Sequence, residues 1–127
     1  DAFIPAHGFY LWANSGFTGI AAPPDAATSG SIADDNGIAL REGPNDTGTI
    51  IDSVAWGTAA NGFGEGTLLP NFAPTESFER KAWNGACTSA QGGGEPLGNG
   101  CDTNDNSADF EVRASPLPQS TASPVEP

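Results

Sequence analysis

Apolar positions in this chain come in short alternating runs, each cut off by glycine, proline, asparagine or aspartate. In GIALRE (37–42), Ile38 and Leu40 fall on one side and Ala39 and Arg41 on the other, the period of two expected of a strand. TIIDSVAWG (49–57), SFERKAW (77–83) and ADFEVR (108–113) are similarly short and rich in β-branched and aromatic residues, so each predicts a strand. Phe9, Tyr10, Leu11 and Trp12 are apolar on both sides, which reads as a strand covered on both faces. The run at 49–57 holds a conflict, because Asp52 shares a face with Val54 and Trp56. Either hydrogen bonds satisfy that carboxylate or a β-bulge shifts the register. No window repeats apolar residues at i, i+3, i+4 and i+7, the spacing of an amphipathic helix.

Turns separate these runs. DDNG (34–37) predicts one, Asn-Gly being a strong hairpin signal, and GPNDTG (43–48) predicts another. Segments 14–30, 58–75 and 84–106 read as long loops. SPLPQSTASPVEP (115–127) reads as a Pro- and Ser-rich linker or tail. With 17 glycines and 11 prolines in 127 residues, turns are favoured over helices. The expectation is one all-β domain over 1–114, with the tail beyond it. Trp12, Trp56, Trp83, Phe9, Phe63, Phe78 and Phe110 are its candidate core.

The formal charge of −12 repels a phosphate backbone, so direct nucleic-acid binding is not expected. It suits solubility and concentrates cations. No run reaches the roughly 18 apolar residues of a membrane span. Cys87 and Cys101 are the two cysteines. As a disulfide they close a short loop, worth about 3 kcal/mol in the chain-entropy model, and point to an oxidising compartment. The other readings are two free thiols or half of a metal site, though the single histidine, His7, is distant in sequence.

The sharpest candidate chemistry is DTNDNSAD (102–109). Asp102, Asn104 and Asn106 follow the one-three-five spacing of oxygen ligands in calcium loops, and Asp109 adds a carboxylate. Ser107 stands where such a loop has glycine, and the twelfth-position Glu is absent; the alternative is an Asx-rich turn leading into the last strand. Asp34 and Asp35 are a second cation candidate or simply part of their turn. His7 with Ser15 and an aspartate lacks the motif of a nucleophile elbow. Two of Glu76, Glu79 and Glu111 would suffice as the acid and base of a glycosidase, but on strands they read as cross-strand partners of Arg80, Lys81 and Arg113. Exposed tryptophans would be able to stack on sugar rings.

Four motifs in order resemble the lamin-tail domain of bacterial secreted and surface proteins. IADDNGIALRE (32–42), IIDSVAWG (50–57), SFERK (77–81) and DTNDNSADFEVRASPLPQS (102–120) are similar to that family's IADNGGIAL, IDSVGWG, SLERK and DTDNNAADFVVRAPTPQNS. The resemblance implies an immunoglobulin-like β-sandwich. The family's opening strands are not among the motifs found, so the sandwich is expected to be incomplete at its N-terminus, with a sheet edge or apolar face left uncovered near 9–12 or 38–40. The resemblance implies no catalytic residue, and no cofactor is expected beyond the calcium weighed at 102–109. It implies instead a non-catalytic, extracellular binding or scaffold module of a larger secreted protein. Its partner would be a protein or surface ligand, the missing strands themselves or a neighbouring subunit. Two alternatives remain: an accessory domain of a secreted nuclease or phosphoesterase whose active site lies elsewhere, and a calcium- or carbohydrate-binding adhesion module.

Overall fold

The computed structural model describes residues 3–19, 21–44 and 47–126. Its elements are β1 (Trp12–Asn14), β2 (Ala26–Thr28), β3 (Gly37–Glu42), β4 (Thr49–Ala55), β5 (Ser77–Arg80), β6 (Ala82–Trp83), β7 (Cys87–Thr88), a 3₁₀ turn (Gly92–Leu97), α1 (Asn106–Asp109) and β8 (Phe110–Arg113). The protein is therefore β-rich, but its strands form four separate two-stranded sheets, β1–β2, β3–β4, β5–β8 and β6–β7. Only β1–β2 is parallel. No helix among the described residues is long and apolar enough to cross a membrane.

The β3–β4 hairpin resolves the conflict at Asp52 in both of the expected ways. Leu40 faces Asp52 but Arg41 faces Ile50, so Ile51 is an extra residue and a bulge interrupts the ladder. The Asp52 carboxylate also takes two hydrogen bonds from Arg80 Nη2, at 2.7 and 2.6 Å. Arg80 lies in β5, so this bidentate, charge-assisted contact ties one antiparallel pair to the other. The Arg80 guanidinium also covers the Phe110 ring at 4.5 Å and donates to the Cys101 carbonyl. An aromatic chain runs parallel to that tie: Trp56 meets Phe72 at 6.1 Å, and Phe72 meets Phe78 edge-on at 5.2 Å.

Several expectations are corrected. Asn36-Gly37 does not turn a hairpin; the turn joining β3 and β4 lies at 43–48, and Asn45 and Asp46 fall outside the described residues. Gly37 is needed for space instead, since a Cβ there would come within 2.9 Å of the Ala55 Cβ. The left-handed residue of that segment is Asp35, at φ 54°. The run 77–83 is broken at Lys81, whose N–H donates to the Asp109 carbonyl and whose carbonyl accepts from Cys101 N–H. The loop at 14–30 contributes β2, paired to β1. The last strand opens with one helical turn. Of the three tryptophans only Trp56 is buried, at 6% exposure, and its indole N–H has no partner among the described residues. Trp12 and Trp83 are exposed. So are Ile38 and Leu40, with Leu40 at 62%.

The apolar core is consequently small, comprising Ala13, Ala55, Trp56, Leu69, Ala82, Ala90 and Cys101. Cys87 and Cys101 form a disulfide with Cα atoms 5.2 Å apart, across 14 positions of sequence. It closes the excursion that carries β7 and the 3₁₀ turn. The tail is docked. Ser120 is buried, Thr121 N–H and hydroxyl donate to the Asp25 carboxylate, and Glu126 N–H donates to the His7 carbonyl.

A loop of this length predicts that reduction of the disulfide lowers stability by about 3 kcal/mol. Chemical denaturation with and without a phosphine reductant measures it, and thiol titration of the folded, non-reduced protein is expected to find no reactive thiol.

Candidate functional site

The residues singled out at 102–109 build a polar knot. Asp105 caps the helical turn, its Oδ1 accepting from Ser107 N–H and Ala108 N–H, while its Oδ2 accepts from Thr67 N–H. Asn106 is fully buried. Its Oδ1 accepts from Ala55 N–H at 3.0 Å and Glu65 N–H at 3.1 Å. Its Nδ2 donates to the Ser53 carbonyl and the Glu65 carboxylate. One amide thus supplies the outer edge of β4 with the partners a third strand would otherwise give. Asp109 is also fully buried. Its carboxylate accepts from Thr103 N–H, the Thr103 hydroxyl and Asp105 N–H.

The oxygens of Asn106 and Asp109 are therefore turned inward, onto backbone N–H groups. Asp102 and Asn104 stay on the surface; Asn104, at φ 59°, donates its N–H to the Asp102 carboxylate. Cys87, Cys101 and Asp109 place one ligand-type atom each within 4.8 Å of one another, but the two sulfurs are bonded to each other. Asp35 accepts from Thr58 N–H and Asn71 Nδ2. Glu79 pairs with Arg113, one of the three cations expected to partner these glutamates, at 2.6 and 2.7 Å. Glu111 instead accepts from Ser89 and Ala90, and Glu76 from Ala73 N–H.

Hydrogen bonds of this kind set the acidity of four aspartates. Burial pushes Asp109 up, but its bonds from Thr103 and Asp105 and the charge of Arg80 outweigh that and hold it below its ordinary 3.8. Backbone N–H groups of Leu11, Thr58 and Thr67, with side-chain donors behind them, lower Asp25, Asp35 and Asp105 respectively. A proton donor in catalysis needs the opposite shift.

What remains open is a groove of about 880 Å³ between the chain around β1 and the β5–β8 pair. Its apolar lining includes Leu11, Trp12, Phe17, Phe72, Phe78 and Leu117. Most of its charges are paired: Arg113 bridges Glu79 and Glu95, and the bonds from both carboxylates raise the Arg113 pKa, while Glu76 accepts only from Ala73 N–H. Arg80 is held by Asp52. Trp12 donates its indole N–H to the Thr28 hydroxyl and is 38% exposed, so the ring is fixed and reachable. Sequence patterning marked Trp12, Phe78, Glu79 and Arg113, without pairing the last two, but not Phe17, Phe72 or Leu117, which lie in segments without periodicity.

Asn106→Ala is expected to cost about 3 kcal/mol or more, because it strands Ala55 N–H, Glu65 N–H and the Ser53 carbonyl at about 1–3 kcal/mol each. Asn106→Asp keeps the acceptor but sets a negative charge against Ser53 O and Glu65, and is expected to be no milder. Denaturant unfolding of both variants checks this. The lowered carboxylates contribute stability above their ordinary 3.8 that is lost as pH falls through their folded values. Melting temperature is therefore expected to hold steady between about pH 7 and 5 and to drop below about pH 4, read by circular dichroism. Compared with protein-family models, with curated proteins and with solved structures, the chain finds no match.

Proposed function

We propose that this chain is a non-catalytic, extracellular binding or scaffold module of a larger secreted bacterial protein, akin to the lamin-tail domains its motifs resemble. In this reading β3–β4 and β5–β8 are parts of the two facing sheets of an immunoglobulin-like sandwich. The Arg80–Asp52 tie and the Trp56, Phe72, Phe78 ring chain between the two pairs support that arrangement. The disulfide and the acidity are compatible with an extracellular setting.

The observation that carries the functional reading is the groove. Its wall is aromatic, and its arginines are already paired with carboxylates, which leaves an apolar surface with few placed polar groups, as recognition sites have. The Asp105 and Asp109 carboxylates accept from backbone N–H groups and have lowered pKa values, as suits structural acceptors.

The test is tryptophan fluorescence during titration with soluble oligosaccharides and with extended peptides, beside a chromogenic phosphodiester assay. The expected result is saturable quenching by one class without turnover. Trp12→Ala and Phe78→Ala are expected to weaken binding about tenfold, the loss of one aromatic anchor. Phosphodiester hydrolysis that persists through repurification and disappears in the Asp102→Ala or Glu79→Gln variant would overturn the reading. A melting point raised by millimolar calcium over chelator, and returned to baseline by Asp102→Ala, would place the cation-binding alternative first.

A further inference from the structure

We infer that the outer edge of β3 takes an extended, cationic peptide strand supplied by another protein. This rests on the binding-module reading but concerns a different surface, since neither Ile38 nor Leu40 lines the groove.

The backbone sets the geometry. Trp56 N–H donates to the Asn36 carbonyl at 2.9 Å. By the alternation of an antiparallel ladder, Ile38 and Leu40 exchange bonds with β4, while Gly37, Ala39 and Arg41 point their N–H and C=O groups to the other side. The matching outward groups of β4 are used: Ala55 N–H by Asn106, Ala55 C=O by Leu69 N–H, and Ser53 C=O by Asn106. At the start of β3, Asn61 Nδ2 takes the Gly37 carbonyl. Beyond it, Ala39 N–H and C=O have no partner among the described residues. An edge with open donors and acceptors is a template for one more strand.

Side chains add the other half. Ile38 and Leu40 stand on one face at 47% and 62% exposure. Ile51, pushed out by the bulge, is 60% exposed. An added strand with apolar residues at alternate positions would cover Ile38 and Leu40.

Charge decides the occupant. Exposed acids bracket β3, with Asp34 before it and Glu42 at its end. Arg41, the one cation of the strand, is drawn away to the Gly48 carbonyl at 2.7 Å and the Phe63 ring at 5.5 Å. A second copy would bring another −12 charge to the same edge, whereas a strand flanked by lysines meets complementary charge.

The experiment uses the whole chain and three synthetic heptapeptides in fluorescence anisotropy. One is Lys-Val-Thr-Val-Thr-Val-Lys with capped ends, one replaces both lysines with glutamate, and one carries N-methyl groups along a single edge. The cationic peptide is expected to bind, and the acidic and N-methylated ones to bind at least about tenfold more weakly. Ala39→Pro removes an outward N–H from an edge position, where proline is tolerated, and is expected to weaken binding about tenfold at an unchanged melting temperature. Leu40→Ser, at an exposed site, is expected to weaken it similarly, while Trp12→Ala leaves it unchanged. No binding of the cationic peptide, or equal binding by wild type and both β3 variants, overturns the proposal and leaves groove binding untouched. So does sedimentation showing a wild-type dimer that Ala39→Pro converts to monomer, since the occupant would then be a second copy.

Discussion

A two-stranded sheet does not bury enough apolar surface to persist alone in water, and this protein is made of four of them. What ties the two larger of them together is the buried amide of Asn106. It bonds the edge of β4 from one side and the 65–67 loop from the other, while the same helical turn runs directly into β8. Arg80 completes the circuit from β5 back to β4 through Asp52. Remove the amide and the two larger antiparallel pairs lose their common anchor. The remaining links include one guanidinium, a short row of rings and the bonds from 105–107 to Glu65 and Thr67.

This arrangement inverts the usual division of labour in a small domain. The bulkiest fully buried side chains are Asn106, Asp109, Cys101 and Ser120 rather than leucines or phenylalanines. Burying polar groups is tolerable only when each finds its partner, and Asn106 and Asp109 do so with backbone N–H groups that would otherwise be orphaned. Such a core is specific in geometry, because a hydrogen bond fails within a few tenths of an ångström where an apolar contact merely loosens. It leaves larger apolar side chains, including Trp12, Trp83 and Leu40, toward the surface.

Much of this was legible in the sequence, and the failures have a common cause. The period-two run at Gly37–Glu42 became β3 with the same ends, and Asp52 was correctly marked as a residue demanding either a partner or a bulge. The Asx-rich character of 102–109 suggested either a cation loop or a turn; the helical turn at 106–109 that Asp105 caps was not foreseen. What periodicity could not reveal is where a side chain's bond goes when its partner is fifty residues away, as between Asn106 and Ala55. The aromatic core was overestimated for the same reason. Whether a tryptophan is covered depends on long-range contacts, and Trp56 has Phe72 beside it while Trp83 stands 51% exposed on a two-residue strand.

The docked tail carries a consequence for how the chain bears load. Because Glu126 N–H reaches the His7 carbonyl and Asn99 N–H reaches the Glu126 carboxylate, residues 7 and 126 are latched at one corner. Force drawing those two residues apart would first break this latch. It would reach the disulfide-closed excursion and the polar knot only afterwards.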